Sequence, residues 1–167
     1  MNFEDKIRDA MGVDDDLEDN PNVYTEDYIT RKFAKDLEPI GSGKSRHVYK
    51  IISDRFGPTN HGDVVKFAKS EEDKKTNRRE MQTWMAVQGT EVDNYFCPIV
   101  DRDSDYRWIM MKFARPVDSD GMSHGFSFEL ENKLDVDIDA HRTNIGEHTT
   151  RGNVLIDYPL GGKVAFR

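Results

Sequence analysis

One glycine-containing stretch decides how the middle of the chain folds. It reads Ile40-Gly41-Ser42-Gly43-Lys44-Ser45-Arg46-His47-Val48-Tyr49-Lys50-Ile51-Ile52. The apolar residues after the glycines form a run typical of a β-strand and lack the spacing of an amphipathic helix. Glycines before such a run are typical of a turn. The stretch therefore predicts a strand, a turn around Gly41 and Gly43, and a second strand.

The letters GSGKS inside this stretch are those of a P-loop, but the rest of that motif is missing. A P-loop needs a glycine five positions before Gly43, where this chain has Glu38. It also needs a helix directly after the lysine, whereas a strand is predicted here. The sequence therefore argues against a P-loop NTPase.

A short apolar strand with a lysine inside it is predicted next, at Asp63-Val64-Val65-Lys66-Phe67-Ala68. Burying the Lys66 side chain costs free energy unless its charge is paired. Strand alternation allows a second interpretation, in which Lys66 faces solvent at the edge of a sheet. Lys69 is a competing candidate for a functional lysine, although it follows the strand instead of lying within it.

A helix is predicted from about Glu71 to Gln88, ending at Gly89. One of its faces is marked by residues three and four apart, namely Met81, Trp84, Met85 and Gln88. Glu80 adjoins that face, fourteen residues after Lys66. By itself, Glu80 is equally well interpreted as a solvated surface residue.

Three further elements are predicted around these. Thr25 is the predicted N-cap of a helix that ends near Glu38, before a proline, and its apolar stripe consists of Ile29, Phe33 and Leu37. Two more strands are predicted at Asn94 to Asp101 and Tyr106 to Ala114. The whole pattern predicts an α+β fold with a five-stranded antiparallel sheet and one helix inserted after the third strand.

A polar stretch nearer the C-terminus carries residues suited to phosphoryl transfer. It reads Asp139-Ala140-His141-Arg142-Thr143-Asn144, and Asp157 follows at the end of the apolar run Val154-Leu155-Ile156. One aspartate can accept the proton of an attacking hydroxyl, and an amide with a second carboxylate can hold the Mg²⁺ ions that neutralise phosphates. The alternative is an acidic loop whose Asp and Asn side chains cap turns.

Taken together, these residues resemble the protein kinase and aminoglycoside/choline kinase superfamily. Gly41-x-Gly43-x-x-Arg46-x-Val48 is similar to the family's Gly-rich loop, with Arg46 in place of the third glycine. The family's later motifs have counterparts in the same order, namely Lys66 on the third strand, Glu80 on the following helix, Met111 as gatekeeper, Lys112-Phe113-Ala114 as hinge, and the stretch from Asp139 to Asn144 as catalytic loop. The phrase from Asn77 to Trp84 also resembles small kinase-like proteins of phages and mobile elements.

The resemblance implies a kinase-like N-lobe and an ATP- and Mg²⁺-dependent phosphotransferase. Its nucleotide-binding residues would be Gly41, Gly43, Val48, Lys66 and Met111. Its catalytic residues would be Asp139, Lys66 and Glu80, with Glu80 pairing the lysine. Its Mg²⁺ ligands would be Asn144 and Asp157.

The chain also departs from the family's pattern. Position 137 is Asp where the family usually has His, Tyr158-Pro159 follows Asp157 instead of Phe-Gly, and the sequence ends ten residues after Asp157. At most one short helix, around Phe126 to Lys133, precedes the catalytic stretch.

The predicted domains are an acidic extension (1–24), whose Phe3, Ile7 and Met11 fit a short helix, and a truncated kinase-like domain (25–167). The latter comprises an N-lobe at about 25–113 and a catalytic-loop remnant at about 114–167.

Composition limits the partners. Of the 167 residues, 1–40 contain twelve acids and five bases, net −7, while the rest contain 20 acids and 19 bases, net −1. This acidity argues against binding nucleic acid, and the chain lacks an apolar run that could span a membrane.

A partner protein or a second copy is expected to cover the short C-terminal lobe. The alternative function is a catalytically silent kinase-like module of a larger assembly, such as a virus or phage particle, and the expected location is the host cytoplasm or that particle.

Overall fold

The computed structural model describes residues 22–117, 126, 129–130, 132–134 and 144–158. Their helices and strands follow the order α1 (Glu26–Phe33), β1 (Leu37–Ser42), β2 (Arg46–Ile51), β3 (Val64–Ala68), α2 (Lys74–Val87), β4 (Ile99–Arg102), β5 (Trp108–Met111), β6 (Arg115–Pro116), β7 (Ile145–His148) and β8 (Gly152–Leu155). Short 3₁₀ turns lie at Asp54–Phe56, Pro58–Asn60 and Asp93–Tyr95. The predicted α+β class is confirmed.

The described chain divides into two compact units. The first unit comprises residues 22–77 and Ile99–Lys112, and the second comprises Arg78–Pro98 with the described residues from Phe113 onward. Strands β1 to β5 lie in the first unit and β6 to β8 in the second. Helix α2 begins in the first unit and continues in the second.

The sheet of the first unit has five antiparallel strands in the order β1-β2-β3-β5-β4. The predicted five-stranded sheet is therefore confirmed. Strand β3 is central, and all five of its residues are buried. Strand β1 is an edge strand, which accommodates Pro39 because proline has no N–H for a ladder, and its pairing with β2 shifts register between Pro39 and Gly41.

The register divides the side chains of this sheet between two faces, because directly opposed residues point to the same side. Val48, Lys66 and Ile109 are opposed across β2, β3 and β5, and Val64 opposes Met111. These five residues define the Lys66 face. Tyr49, Val65 and Met110 lie on the opposite face, with the core cluster Tyr24, Tyr28, Ile29, Phe33, Leu37, Tyr49, Ile51, Phe56, Val65, Phe67, Trp108 and Met110. We call this second face the core face.

Helix α1 contributes the apolar side chains that cover the core face. Thr25 caps it as predicted, since its hydroxyl accepts a hydrogen bond from the N–H of Tyr28 at 3.2 Å. The prediction that the helix extends to Glu38 is wrong, because α1 ends at Phe33. Leu37 instead begins β1, opposite Ile51. It reaches the same core, but from a strand.

The other predicted elements are shorter than expected at their ends. Helix α2 runs from Lys74 to Val87, and Gly89 follows it with a φ of 77°, the left-handed geometry that a helix C-terminus favours. The strand predicted from Asn94 begins only at Ile99, because Asp93–Tyr95 forms a 3₁₀ turn. The strand predicted from Tyr106 to Ala114 is β5, Trp108–Met111.

The sheet of the second unit is a three-stranded antiparallel arrangement in the order β6-β7-β8. The hairpin of β7 and β8 pairs Ile145 with Leu155. The N–H of Cys97 donates to the carbonyl of Leu155 at 2.9 Å, and the Cys97 side chain is buried. Cys97 therefore belongs to the core of this unit.

Gly146 on β7 is packed too closely to carry a side chain. A Cβ atom there would lie 2.9 Å from the Ala114 Cβ, 3.1 Å from the Ala114 carbonyl oxygen and 3.0 Å from the Ile156 Cγ2. The Ala114 carbonyl oxygen belongs to the backbone, and the Ala114 Cβ belongs to a side chain without rotamers. Neither atom can move away by a change of rotamer. Any side chain at this position would therefore force the neighbouring atoms to shift.

A buried ion pair holds the turn between β4 and β5. Arg107 donates to both carboxylate oxygens of Asp103, at 2.9 and 2.6 Å. The N–H groups of Asp105 and Arg107 also donate to Asp103, each at 3.0 Å. Asp103 is 0% exposed and Arg107 is 8% exposed. Burial by itself raises the pKa of Asp103, but these hydrogen bonds and the Arg107 charge outweigh it and hold the pKa below its ordinary value.

Some predictions lie outside the described residues. They are residues 1–21 of the acidic extension with its short helix at Phe3 to Met11, the departure at Asp137, the catalytic-loop residues Asp139 and His141, and most of the helix expected around Phe126 to Lys133. Where the structure does describe the chain, no helix is long and apolar enough to cross a bilayer.

Candidate functional site

The glycine turn lies between β1 and β2 in the first unit. The N–H of Gly43 donates to the carbonyl of Arg46 at 3.0 Å, which closes the turn. Neither Gly41 nor Gly43 has a positive φ. A Cβ at Gly43 would meet no atom within 4 Å, and one at Gly41 would make an ordinary contact of 3.9 Å with the Val48 Cβ. The fold itself therefore does not require glycine at either position.

Four of the predicted nucleotide-binding residues lie on two rows of the sheet. Gly41, Val48 and Lys66 are opposed across β1, β2 and β3. Met111 lies on the Lys66 face, opposite Val64. Lys66 is only 5% exposed and lies on the central strand, so the interpretation that it faces solvent at a sheet edge is wrong.

Lys69 interacts with the glycine turn directly. Its backbone N–H donates to the carbonyl of Ser45 at 3.0 Å, continuing the contact between β2 and β3 beyond Ala68. Its ammonium donates to the carbonyl of Gly43 at 2.5 Å. The side chain of this lysine therefore lies against the turn, although it lies outside the strand.

Asp63 and Lys112 form an ion pair beside β3 and β5. The Lys112 ammonium lies 3.0 Å from the Asp63 Oδ2, and the Asp63 side chain is buried while that of Lys112 is 40% exposed. Burial raises the pKa of Asp63 above its ordinary value, and Lys112 offsets this only in part. A carboxyl with a raised folded-state pKa binds its proton more tightly when folded. It therefore lowers the free energy of unfolding as the pH rises from its unfolded pKa through its folded pKa.

Asp63→Asn is expected to leave the free energy of unfolding at neutral pH within about 1 kcal/mol of wild type, because the partly exposed Lys112 stays hydrated after losing its partner. The variant is also expected to lose the contribution of Asp63 to the pH dependence, which is a decrease in the free energy of unfolding as the pH rises above about 4. Urea denaturation at several pH values measures both effects. A loss of several kcal/mol at neutral pH would contradict this interpretation of the pair.

Glu80 lies on the second-unit part of helix α2 and is 0% exposed. The interpretation of Glu80 as a solvated surface residue is therefore wrong. Its Oε1 accepts a hydrogen bond from the backbone N–H of Tyr158 at 3.2 Å. The Tyr158 hydroxyl in turn donates to the carbonyl of Cys97. Glu80 thus holds the segment that directly follows Asp157.

Asn144 and Asp157 lie at the open end of the β7–β8 hairpin. Asn144 directly precedes β7, and Asp157 lies two residues beyond β8. The N–H of Ile156 donates to the carbonyl of Asn144 at 2.8 Å, so a backbone hydrogen bond joins the two strands' extensions at this end of the hairpin. Segment 156–158 therefore adjoins Asn144 through Ile156 and Glu80 through Tyr158.

The predicted site residues fall into two groups. Gly41, Gly43, Val48, Lys66 and Met111 belong to the first unit, where the sheet brings them together. Glu80, Asn144 and Asp157 belong to the second unit, where segment 156–158 connects them. Asp139 lies outside the described residues.

Two residues that shape the second group were not predicted from the sequence. Gly146 sets how closely the hairpin packs, and Tyr158 links Glu80 to that hairpin. For Tyr158 the available signal was its position directly after Asp157. For Gly146 the only signal was a glycine inside a short strand, which often marks close backbone approach.

Within the described part of the chain, no group of three or more His, Cys, Asp and Glu residues could hold a metal ion by itself. Asn144 and Asp157 supply one amide and one carboxylate. Comparison with models of known protein families and with curated protein sequences gives no match.

Proposed function

We propose that this chain is a kinase-like protein that binds ATP with Mg²⁺ and transfers the terminal phosphoryl group to a hydroxyl acceptor. The observation that carries the proposal is the connection of Glu80, Asn144 and Asp157 through segment 156–158. Asn144 and Asp157 flank one hairpin, and Glu80, which is distant from both in sequence, belongs to the same small region of the second unit. Capping of turns gives no reason for a fully buried glutamate beside segment 156–158.

The first unit supports the nucleotide part of the proposal. Its candidate residues Val48, Lys66 and Met111 share the Lys66 face, opposite the side on which helix α1 packs. Glycines at positions 41 and 43 are not required by the fold, but they would let backbone N–H groups approach phosphates closely. In the proposal, Lys66 binds phosphate oxygens, and Val48 and Met111 contact the base.

The donor set of the second unit suits Mg²⁺ in a particular way. Mg²⁺ is commonly held by one or two carboxylates together with phosphate oxygens and water, and seldom by a cage of protein ligands alone. Asn144 and Asp157 would hold it, which agrees with the lack of a larger ligand cluster among the described residues. The ion would neutralise charge on the phosphates.

The proposed reaction assigns the proton to Asp139. The acceptor oxygen forms a bond to the γ-phosphorus while the bond from that phosphorus to the β–γ bridging oxygen breaks, and ADP leaves. Asp139 takes the proton of the attacking hydroxyl.

The proposal further includes a partner protein or second copy on the second unit and a location in the host cytoplasm.

ATP with Mg²⁺ is expected to stabilise the wild-type protein, because a ligand that binds only the folded state raises the free energy of unfolding. The gain is about 2.7 kcal/mol at a ligand concentration of 100 Kd, or roughly 5–10 °C in Tm for a chain of this size. Lys66→Met and Asp157→Asn are both expected to lose most of this shift. Differential scanning fluorimetry with and without Mg²⁺ measures it.

Lys35→Met is the matched control, since Lys35 is an exposed lysine of the first unit, outside the sheet. It is expected to respond to ATP as wild type does. Phosphoryl transfer from labelled ATP, compared between wild type and Asp139→Ala, then tests the reaction. A wild type that shows no nucleotide response would contradict the proposal and favour a catalytically silent module of a larger assembly, such as a virus particle.

A further inference from the structure

Lys69 has a position that the proposed roles of Lys66 and the glycine turn do not account for. Its backbone is tied to Ser45 and its ammonium to the carbonyl of Gly43, so both ends of the residue contact the same turn. An ammonium has three N–H donors, and the Gly43 carbonyl accepts a hydrogen bond from one of them. Among the described residues, no carboxylate forms an ion pair with Lys69.

The surroundings of Lys69 are cationic. Lys44 lies in the same turn and is exposed. His47 follows on β2, and burial, then the charge of Lys69, lower its pKa, against a smaller opposing effect of Glu26. His47 is thus neutral at neutral pH, and the exposed positive charge at the turn comes from the two lysines. Arg46 is also cationic, but it is buried and donates to the Asn77 Oδ1 at 3.4 Å. A neutral carbonyl is a weaker acceptor for an ammonium than an anionic phosphate oxygen.

We infer that Lys69 binds the terminal phosphate of the nucleotide and makes the glycine turn selective for triphosphates over diphosphates. The Gly43 carbonyl is its partner before the nucleotide binds. This inference rests on the proposed nucleotide site and adds a second lysine to it. Lys66, on the sheet, contributes to binding both nucleotides, whereas Lys69, which follows β3 and contacts the turn, distinguishes them.

Isothermal titration calorimetry with ATP and ADP, each with Mg²⁺, tests the inference. Lys69→Met is expected to weaken ATP binding by roughly tenfold to a hundredfold, the usual effect of losing a hydrogen bond to a charged group. ADP binding is expected to change little. Lys69→Arg should keep most of the preference for ATP, and Lys66→Met should weaken both nucleotides. Lys44→Met controls for the general positive charge of the turn and should have the smaller effect.

The outcomes separate the possible roles of Lys69. An equal loss of ATP and ADP affinity in Lys69→Met would show that the lysine only holds the turn in shape, and would overturn the inference. Unchanged affinities for both nucleotides in Lys69→Met would overturn it as well, while leaving the proposed function intact. If wild type bound neither nucleotide, both the proposed function and this inference would be wrong. Lys69→Gln serves as the second variant should Lys69→Met fail to fold.

Discussion

Replacing Arg107 by methionine is expected to destabilise the protein by about 3–5 kcal/mol, the usual cost of removing one partner of a buried ion pair. Methionine keeps much of the apolar stem but leaves the Asp103 carboxylate, which is 0% exposed, without its counter-charge. The two backbone N–H groups that remain on Asp103 offset only part of this loss. Urea denaturation at neutral pH measures the change.

The destabilisation should depend on pH in a defined direction. Because the folded-state pKa of Asp103 is lowered, the pair stabilises the fold above the unfolded pKa, and this contribution is lost as the pH falls through the folded pKa. In Arg107→Met the carboxyl is buried without its cation, so its protonation favours the folded state. The difference between wild type and variant should therefore shrink as the pH falls below about 4.

Arg115 provides a matched control. It pairs with Glu147, but the two side chains are 75% and 52% exposed. Arg115→Met is therefore expected to cost less than about 1 kcal/mol. The double variant Asp103→Asn, Arg107→Met should recover part of the stability lost by Arg107→Met, because no charge remains buried. Equal losses for Arg107→Met and Arg115→Met would contradict the interpretation of the buried pair.

Gly146→Val is expected to destabilise the second unit by about 3 kcal/mol, and Gly146→Ala by about 1–3 kcal/mol, as overpacked cores usually are. A Cβ atom at 2.9 Å from the Ala114 Cβ is closer than real side chains approach, and the nearby Ala114 carbonyl oxygen belongs to the backbone. Strand β7 must therefore move relative to Ala114. Chemical denaturation monitored by tryptophan fluorescence measures the loss.

Gly43→Ala is the control for this substitution, since a Cβ at Gly43 meets no atom within 4 Å. It is expected to change the free energy of unfolding by no more than about 0.5 kcal/mol. If Gly146→Ala were as well tolerated as Gly43→Ala, the close packing of the hairpin would not be what holds Asn144 and Asp157 in place.

The sheet was predictable because its strands carry strong local signals. The run ending in Ile51 and the run around Lys66 are short, apolar and bounded by turns, and burying such runs on both faces favours a central strand. The end of helix α1 was not predictable in the same way. Leu37 fits the helical stripe of Ile29 and Phe33, and only its pairing with Ile51 across the sheet assigns it to β1.

The candidate site was predictable in its residue types but not in its environment. Whether Lys66 or Glu80 is buried depends on elements distant in sequence, so a local pattern could not distinguish a buried from a solvated charge. The contact of Lys69 with Gly43 joins residues 26 positions apart. The close packing at Gly146 comes from Ala114 and Ile156, which the sequence alone does not place beside it.

Pro39 and the register shift beside it affect how the sheet ends. The outer edge of β1 cannot present an unbroken row of N–H donors, because proline has none and the shift interrupts the ladder. A strand from another molecule would therefore find an incomplete template there. We expect such an edge to disfavour strand-by-strand growth into aggregates, most of all during synthesis, when the sheet is newly formed and many copies are close together.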